Sequence, residues 1–249
     1  MKRIMLVVSY DGTNYHGWQI QPGVITVESV LNEAVSRLTG EQIQVAGASR
    51  TDAGVHALGN VAVFDTCSRI PAEKFSYALN QRLPEDIVIQ ESKEVQADFH
   101  PRYCKCRKTY EYTIINRRFP LPEYRNTAFF YYGKLNVGKM RSAAAAFIGE
   151  HDFAAFCSAG AQVKTTVRNI YAMEIEEEQA EGRIRIRVTG NGFLYNMVRI
   201  ITGTLLEVGK GTLEPESVPQ IIASCNRGEA GPTAPAKGLK LLSINFDTD

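Results

Sequence analysis

The chain has 249 residues, 44% of them hydrophobic and 22% charged, with a formal net charge of +1. This is the profile of an ordinary water-soluble globule, long enough for one large domain or two small ones. No run of about 18 apolar residues occurs, so no membrane-spanning helix is expected, and a near-neutral balance gives no bulk attraction to polyanions.

The N-terminus is basic at Lys2 and Arg3, apolar from Ile4, and polar again at Ser9-Tyr10-Asp11-Gly12. That is too soon for a signal peptide, and 4–10 reads as a first strand. A helix over 26–39 follows, with Leu31, Ala34, Val35 and Leu38 on its apolar face. Alternating runs at 43–47 and 60–65 read as strands, and a helix over 71–82 enters at Pro71 and leaves at Pro84. A strand at 86–95 closes the first half. The second half runs strand 110–115, helix 139–148, a hairpin of 170–176 and 182–189 around an acidic turn, helices 194–208 and 215–224, and a last strand at 239–246. Each half approximates a β-α-β-β-α-β unit. The expected fold is α+β, two pseudo-symmetric ferredoxin-like halves with a shared sheet, divided near Pro101 into 1–101 and 102–249.

The most informative stretch is Arg50-Thr51-Asp52-Ala53-Gly54-Val55-His56, a glycine-containing turn between two strands. A carboxylate held there by a cation stays ionised and can act as a nucleophile. An aspartate beside glycine is also the usual Asx-turn residue. Asp-Ala-Gly further suits an aspartic protease, but that chemistry needs two such carboxylates and Asp65-Thr66-Cys67 lacks the glycine, so a protease would have to be a dimer.

Tyr110 opens a strand directly after the basic run 105–108, and an aromatic ring beside a basic strip can hold an unstacked base; the commoner fate of such a tyrosine is the core. Arg183, Arg185 and Arg187 share one strand face, which suits either a phosphate track or a solvated surface. Arg199 lies on a helix that is apolar on most sides, so it must find an anion, and Asp52 is the candidate. Cys67, Cys104, Cys106, Cys157 and Cys225 are odd in number and scattered, which points to a reducing cytoplasm. Cys104 and Cys106 near His100 lack a second ligand pair at zinc spacing, so no metal is expected.

Taken together, the chain resembles the tRNA pseudouridine synthase A family. The matching stretches are 9–19 (Ser-Tyr-Asp-Gly-Thr-Asn-Tyr-His-Gly-Trp-Gln), 50–57, Phe99-His100-Pro101-Arg102 leading to 108–112, Gly149-Glu150-His151-Asp152-Phe153, 192–199, and Gly231-Pro232-Thr233-Ala234-Pro235-Ala236. They run in order through almost the whole chain. Ser49 departs from the family's glycine, and Glu28 stands where the family carries glutamine.

The resemblance implies an isomerase that converts uridine to pseudouridine at positions 38 to 40 of the tRNA anticodon arm. It implies a cytoplasmic homodimer with a basic cleft, without metal or organic cofactor, and with neither membrane nor DNA as partner. Asp52 would be the nucleophile, Arg199 its partner, Tyr110 the ring against the target base, Arg50 a holder of the flipped nucleotide, and Leu239 an apolar contact that Leu241 could equally supply. The competing expectation is an RNA-binding protein without catalysis.

Overall fold

A computed structural model of the chain describes residues 1–160 and 163–246. The fold is α+β, in two compact units: Met1–Lys105 with Lys240–Asp249, and Cys106–Leu239.

In the first unit β1 (Lys2–Tyr10) lies between β3 (His56–Thr66) and β4 (Ile87–Val95), antiparallel to both. Alternation turns Ile4, Leu6 and Val8 into the core, each fully buried. Helix α1 (Val27–Thr39) begins at a reciprocal cap: Ser29 N donates to Thr26 Oγ1 (3.2 Å) and Thr26 N to Ser29 Oγ (3.1 Å). It ends at Gly40, whose φ of 74° suits the left-handed exit.

The expected strand at 43–47 shrinks to β2 (Ala46–Gly47), antiparallel to β3. The reason is local. Asn32 Oδ1 takes the Val45 N–H (2.7 Å) and Ser36 Oγ the Ile43 N–H (3.0 Å), so side chains of α1 bind backbone donors that a sheet would otherwise use. The helix expected over 71–82 divides into a 3₁₀ turn (Ala72–Lys74) and α2 (Phe75–Asn80).

The last strand, β10 (Leu239–Phe246), lies almost wholly with the first unit and not with the residues before it in sequence. Lys240 and Leu241 pair in parallel with His56 and Ala57 of β3, and Phe246 meets Phe99 edge-on at 5.0 Å. β10 thus joins β3 of the first unit, a non-local pairing that order along the chain does not reveal.

In the second unit β9 (Arg183–Gly190) lies between β5 (Cys106–Asn116) and β8 (Val167–Glu178), antiparallel to both. Two short strands were not anticipated: β6 (Phe129–Tyr131), parallel to β5, and β7 (Gly149–Asp152), antiparallel to β8. The helices are α3 (Val137–Ala144), α4 (Met197–Lys210) and α5 (Val218–Ser224). The element order of this unit thus differs from the β-α-β-β-α-β order of the first.

The outward face of β9 resolves the two readings of its arginines. Arg183 pairs with Glu178 and, at 3.1 Å, with Glu181; Arg185 pairs with Glu178 and, at 3.0 Å, with Glu176. Arg187 Nε binds the buried Glu111 at 2.9 Å. The three guanidiniums are held by carboxylates within the unit, so this face is an ion-pair lattice and not a phosphate track. Ile184, Ile186 and Val188 fill the core on the opposite side.

Candidate active site

In the first unit the Asp52 loop is fixed from several sides. Val55 N donates to the Asp52 carbonyl (3.1 Å), closing a turn whose third residue, Gly54, has a φ of 76°. Gly54 N reaches the Tyr15 carbonyl (3.3 Å), and Trp18 N the Thr51 carbonyl (3.0 Å). A Cβ on Gly17 would stand 2.6 Å from that Thr51 carbonyl, and one on Gly12 would stand 2.1 Å from the Val55 carbonyl. Residues 10–18 therefore form the backbone cradle of the Asp52 turn, which gives the motif at 9–19 its physical role.

Beneath the loop lies a buried polar network. Tyr10 Oη and Thr51 Oγ1 share a hydrogen bond of 2.7 Å. Asn60, fully buried on β3, donates to the Ser49 carbonyl (3.0 Å) and accepts from Ser49 N (3.3 Å) and Val61 N (3.0 Å). His56 is buried; its Nδ1 accepts from Gly12 N (3.0 Å) and lies 3.1 Å from Asp11 Oδ1. Burial pushes the Asp11 carboxyl upward, but its hydrogen bonds from Thr13 and the adjacent His56 outweigh this and hold it below the usual range. The outcome is a half-buried Asp52 on a rigid turn, with Arg50 exposed two residues earlier.

Asn60→Ala is expected to destabilise the protein by about 2–3 kcal/mol, because Ser49 loses both of its side-chain partners in a site closed to water. A denaturant titration measures it; a loss below about 0.5 kcal/mol would show that the network does not hold the loop.

In the second unit Tyr110 is buried on β5, with its ring edge-on to Phe193 at 5.3 Å. Arg199 sits half-buried in the first turn of α4. Its Nε donates to the Ala234 carbonyl (2.7 Å) and its Nη1 to Asn196 Oδ1 (2.7 Å). Asn196 adopts a φ of 61° and donates to Ser158 Oγ (2.9 Å).

The segment 231–236 is pressed against α4. Ala234 N donates to the Arg199 carbonyl (3.1 Å) and Gly231 N to Thr204 Oγ1 (2.9 Å). Tyr112 Oη donates to the Pro235 carbonyl (2.8 Å). Burial raises the Tyr112 phenol, and the positive charge of Arg199 opposes this only in part. Leu239 and Leu241 are both buried, so burial does not choose between them.

Sequence reading singled out Asp52, Arg50, Tyr110, Arg199 and Leu239. It missed the residues that hold them, namely Tyr10, Asn60, Asn196 and Gly203, the last of which lets the Pro232 carbonyl approach α4 so closely that a Cβ would stand 1.6 Å from it. Gly203 could have been found, because glycine inside a helix costs about 1 kcal/mol and so marks a close approach. A buried tyrosine or asparagine in a strand carries no such mark. Among the described residues no group of three His, Cys, Asp or Glu side chains gathers as a metal site would.

The profile of a family described as tRNA pseudouridine synthase matches residues 6–104 and 143–247, which include Asp52 and Arg199. The chain belongs to the tRNA pseudouridine synthase family. This is a family of isomerases. The chain is 52% identical over 246 residues to tRNA pseudouridine synthase A of Ruminiclostridium cellulolyticum, which covers 99% of this chain and 100% of that protein. Identity to the proteins of the same name from Acetivibrio thermocellus and Thermoanaerobacter sp. is 50% and 49%, at the same coverage. Tyr110 falls outside the two spans of the family profile. No helix among the described residues is long and apolar enough to cross a membrane.

Proposed function

We propose that this pseudouridine synthase acts on tRNA at positions 38 to 40 of the anticodon arm, with Asp52 as its nucleophile. The observation that carries the reading is the Asp52 turn: one half-buried carboxylate, fixed by backbone bonds to a cradle of motif residues, in a chain of this family.

Converting uridine to pseudouridine breaks the bond from N1 to C1′ and forms one from C5 to C1′. The base must be detached, turned and rejoined, so something must hold an intermediate meanwhile. The Asp52 carboxylate does this by attacking the sugar C1′ or the uracil C6. Once C5 has bonded to C1′, the C5 proton is lost and N1 gains one, so the reaction has no net redox or hydrolytic change. This chemistry calls for no organic cofactor.

The remaining roles follow from residue type. The Arg199 guanidinium pairs with Asp52 and keeps it ionised. The target uridine is stacked in its RNA and must be extruded; the Tyr110 ring replaces that stacking. Arg50 holds the flipped nucleotide and Leu239 gives an apolar contact. The enzyme works as a cytoplasmic homodimer. Arg199→Ala is expected to slow turnover and to lower stability by about 2–3 kcal/mol, since two charge-assisted bonds to Ala234 and Asn196 are lost. A rate and a melting curve both equal to those of the parent enzyme would remove Arg199 from the site.

The site reading is tested by incubating an unmodified tRNA with the enzyme and mapping product by pseudouridine-specific chemical labelling and primer extension. Mass alone is uninformative, because product and substrate are isomers. Stops one nucleotide 3′ of 38, 39 or 40 are expected. Stops confined to another arm would overturn the anticodon assignment.

A further inference from the structure

The turn at 100–104 brings a second guanidinium to the stretch that carries Arg50. Tyr103 N and Cys104 N donate to the His100 carbonyl (3.0 and 3.2 Å), and Arg102 N to His100 Nδ1 (3.3 Å). From this turn Arg102 Nη2 donates to the Gly47 carbonyl (3.2 Å). Gly47 has no room for a side chain, since a Cβ would stand 2.2 Å from Trp18 Nε1. Two residues on, Ser49 is clamped by Asn60. Arg102 and Arg50 are therefore anchored to one rigid stretch, 47–51.

The electrostatics of this pair differ from those of the ion-paired arginines Arg3, Arg183, Arg185 and Arg187. Burial, and then the charge of Arg50, hold the Arg102 guanidinium below the usual arginine range. Among the described residues neither Arg50 nor Arg102 makes an ion pair with a carboxylate, whereas Arg3, Arg183, Arg185 and Arg187 all do. Glu28, the acid that acts on Arg102 through space, has its carboxylate on the Ile20 N–H (2.9 Å). Two like charges thus act on each other, one of them tied to a neutral carbonyl, with both side chains reaching solvent. A bound anion relieves that arrangement, and planar guanidiniums match the paired oxygens of a phosphodiester. Tyr103 follows Arg102 in the same turn, 79% exposed, its ring tilted by 31° against that of His100 at 4.3 Å. An open aromatic face there suits nucleic acid.

We propose that Arg102 and Arg50 together clamp one phosphodiester of the RNA strand next to the target nucleotide. This rests on reading the Asp52 loop as the nucleotide site, but its test is made by binding alone. The affinity of the full chain for an unmodified anticodon stem-loop is measured against salt for the parent, Arg102→Gln and Arg102→Lys. Arg102→Gln should bind about tenfold more weakly, with the slope of log affinity on log salt shallower by about one. Arg102→Lys, which keeps the charge, should recover most of the slope.

The deciding arm uses stem-loops that carry a single neutral methylphosphonate at each linkage in turn. One linkage should weaken the parent about tenfold and Arg102→Gln by much less, since only Arg50 is left to feel the lost charge. Equal sensitivity of parent and Arg102→Gln at every linkage would overturn the clamp and leave Arg102 a structural tie to Gly47. An unchanged salt slope would do the same. Should Arg102→Gln fail to fold, the linkage scan on Arg102→Lys decides, since a single ammonium should lose less than the parent at the clamped linkage and the same as the parent if there is no clamp. A catalytically normal Asp52→Asn would refute the nucleophile and leave these binding results standing.

Discussion

Asp52→Asn is expected to bind tRNA and leave it unreacted. The turn at 52–55 is closed through the Asp52 carbonyl, and Thr51 and Gly54 are held by backbone bonds, none of which depends on a carboxylate charge. Asparagine is nearly the same size and is itself favoured in such turns. The loop should therefore keep its shape, and the loss of stability should be confined to the weakened interaction of residue 52 with its counter-ion, about 1–2 kcal/mol. What disappears is the nucleophile, because an amide oxygen does not form the bond to C1′ or C6 that holds the base during its rotation. Removing a covalent nucleophile elsewhere lowers turnover by factors of about 10⁴ to 10⁶. Single-turnover labelling should thus show product falling by at least about 10⁴, while affinity in a filter-binding titration stays within about threefold. Product at a tenth of the parent rate would remove Asp52 from the chemistry. Loss of binding together with product would make it a binding group instead.

Gly203→Ala is expected to be the most damaging single methyl in the protein. A Cβ there would stand 1.6 Å from the Pro232 carbonyl oxygen, and backbone on both sides leaves no rotamer to yield. The segment 231–234 would have to lift from α4. With it go the Gly231 N–H to Thr204 Oγ1, the Ala234 N–H to the Arg199 carbonyl, and the Arg199 Nε–H to the Ala234 carbonyl. Overpacking by itself costs about 1–3 kcal/mol and each buried bond about another 1 kcal/mol. A loss of about 4 kcal/mol is expected, or about 8–16 °C in Tm for a chain of this size. Any folded fraction should also react slowly, since the carbonyl that orients Arg199 has moved. Gly209, two turns along the same helix, is the internal control. A Cβ there meets the flexible Met140 side chain at 2.8 Å, and that side chain can move. Gly209→Ala should therefore cost far less, and equal losses at the two sites would contradict the reading.

Much of the architecture is legible in the sequence where one element carries its own signal. Helix α1 has a cap at Thr26, an apolar face through Leu31, Ala34 and Val35, and a left-handed exit at Gly40. The β8–β9 hairpin alternates cleanly. Legibility fails where a partner distant in sequence decides. Residues 43–45 have a strand pattern, yet Asn32 and Ser36 bind their donors. Phe129–Tyr131 and Gly149–Asp152 are too short for a period to show, and exist because β5 and β8 offer them edges. The arginine face of β9 looked available to phosphate because its carboxylates lie on β8, on β5 and in the turn between β8 and β9.

The same division holds for the candidate site. Asp52 announces itself by a glycine turn between two strands, and Arg199 by its cost on an apolar helix. Asn60 and Tyr10 read as ordinary strand residues, because what sets them apart is the loop they hold. The Arg102 tie to Gly47 spans 55 residues of sequence and has no local signature.

In the proposed mechanism the Asp52 carboxylate becomes covalently joined to RNA during turnover. This step is tested most directly by mixing excess enzyme with unmodified tRNA, quenching with denaturant on the millisecond scale, digesting RNA and protein, and locating nucleotide mass on the peptides. A transient adduct is expected on the peptide that contains Asp52, rising and decaying before product is complete and missing from Asp52→Asn. A kinetically competent adduct on a peptide from any other part of the chain would contradict it.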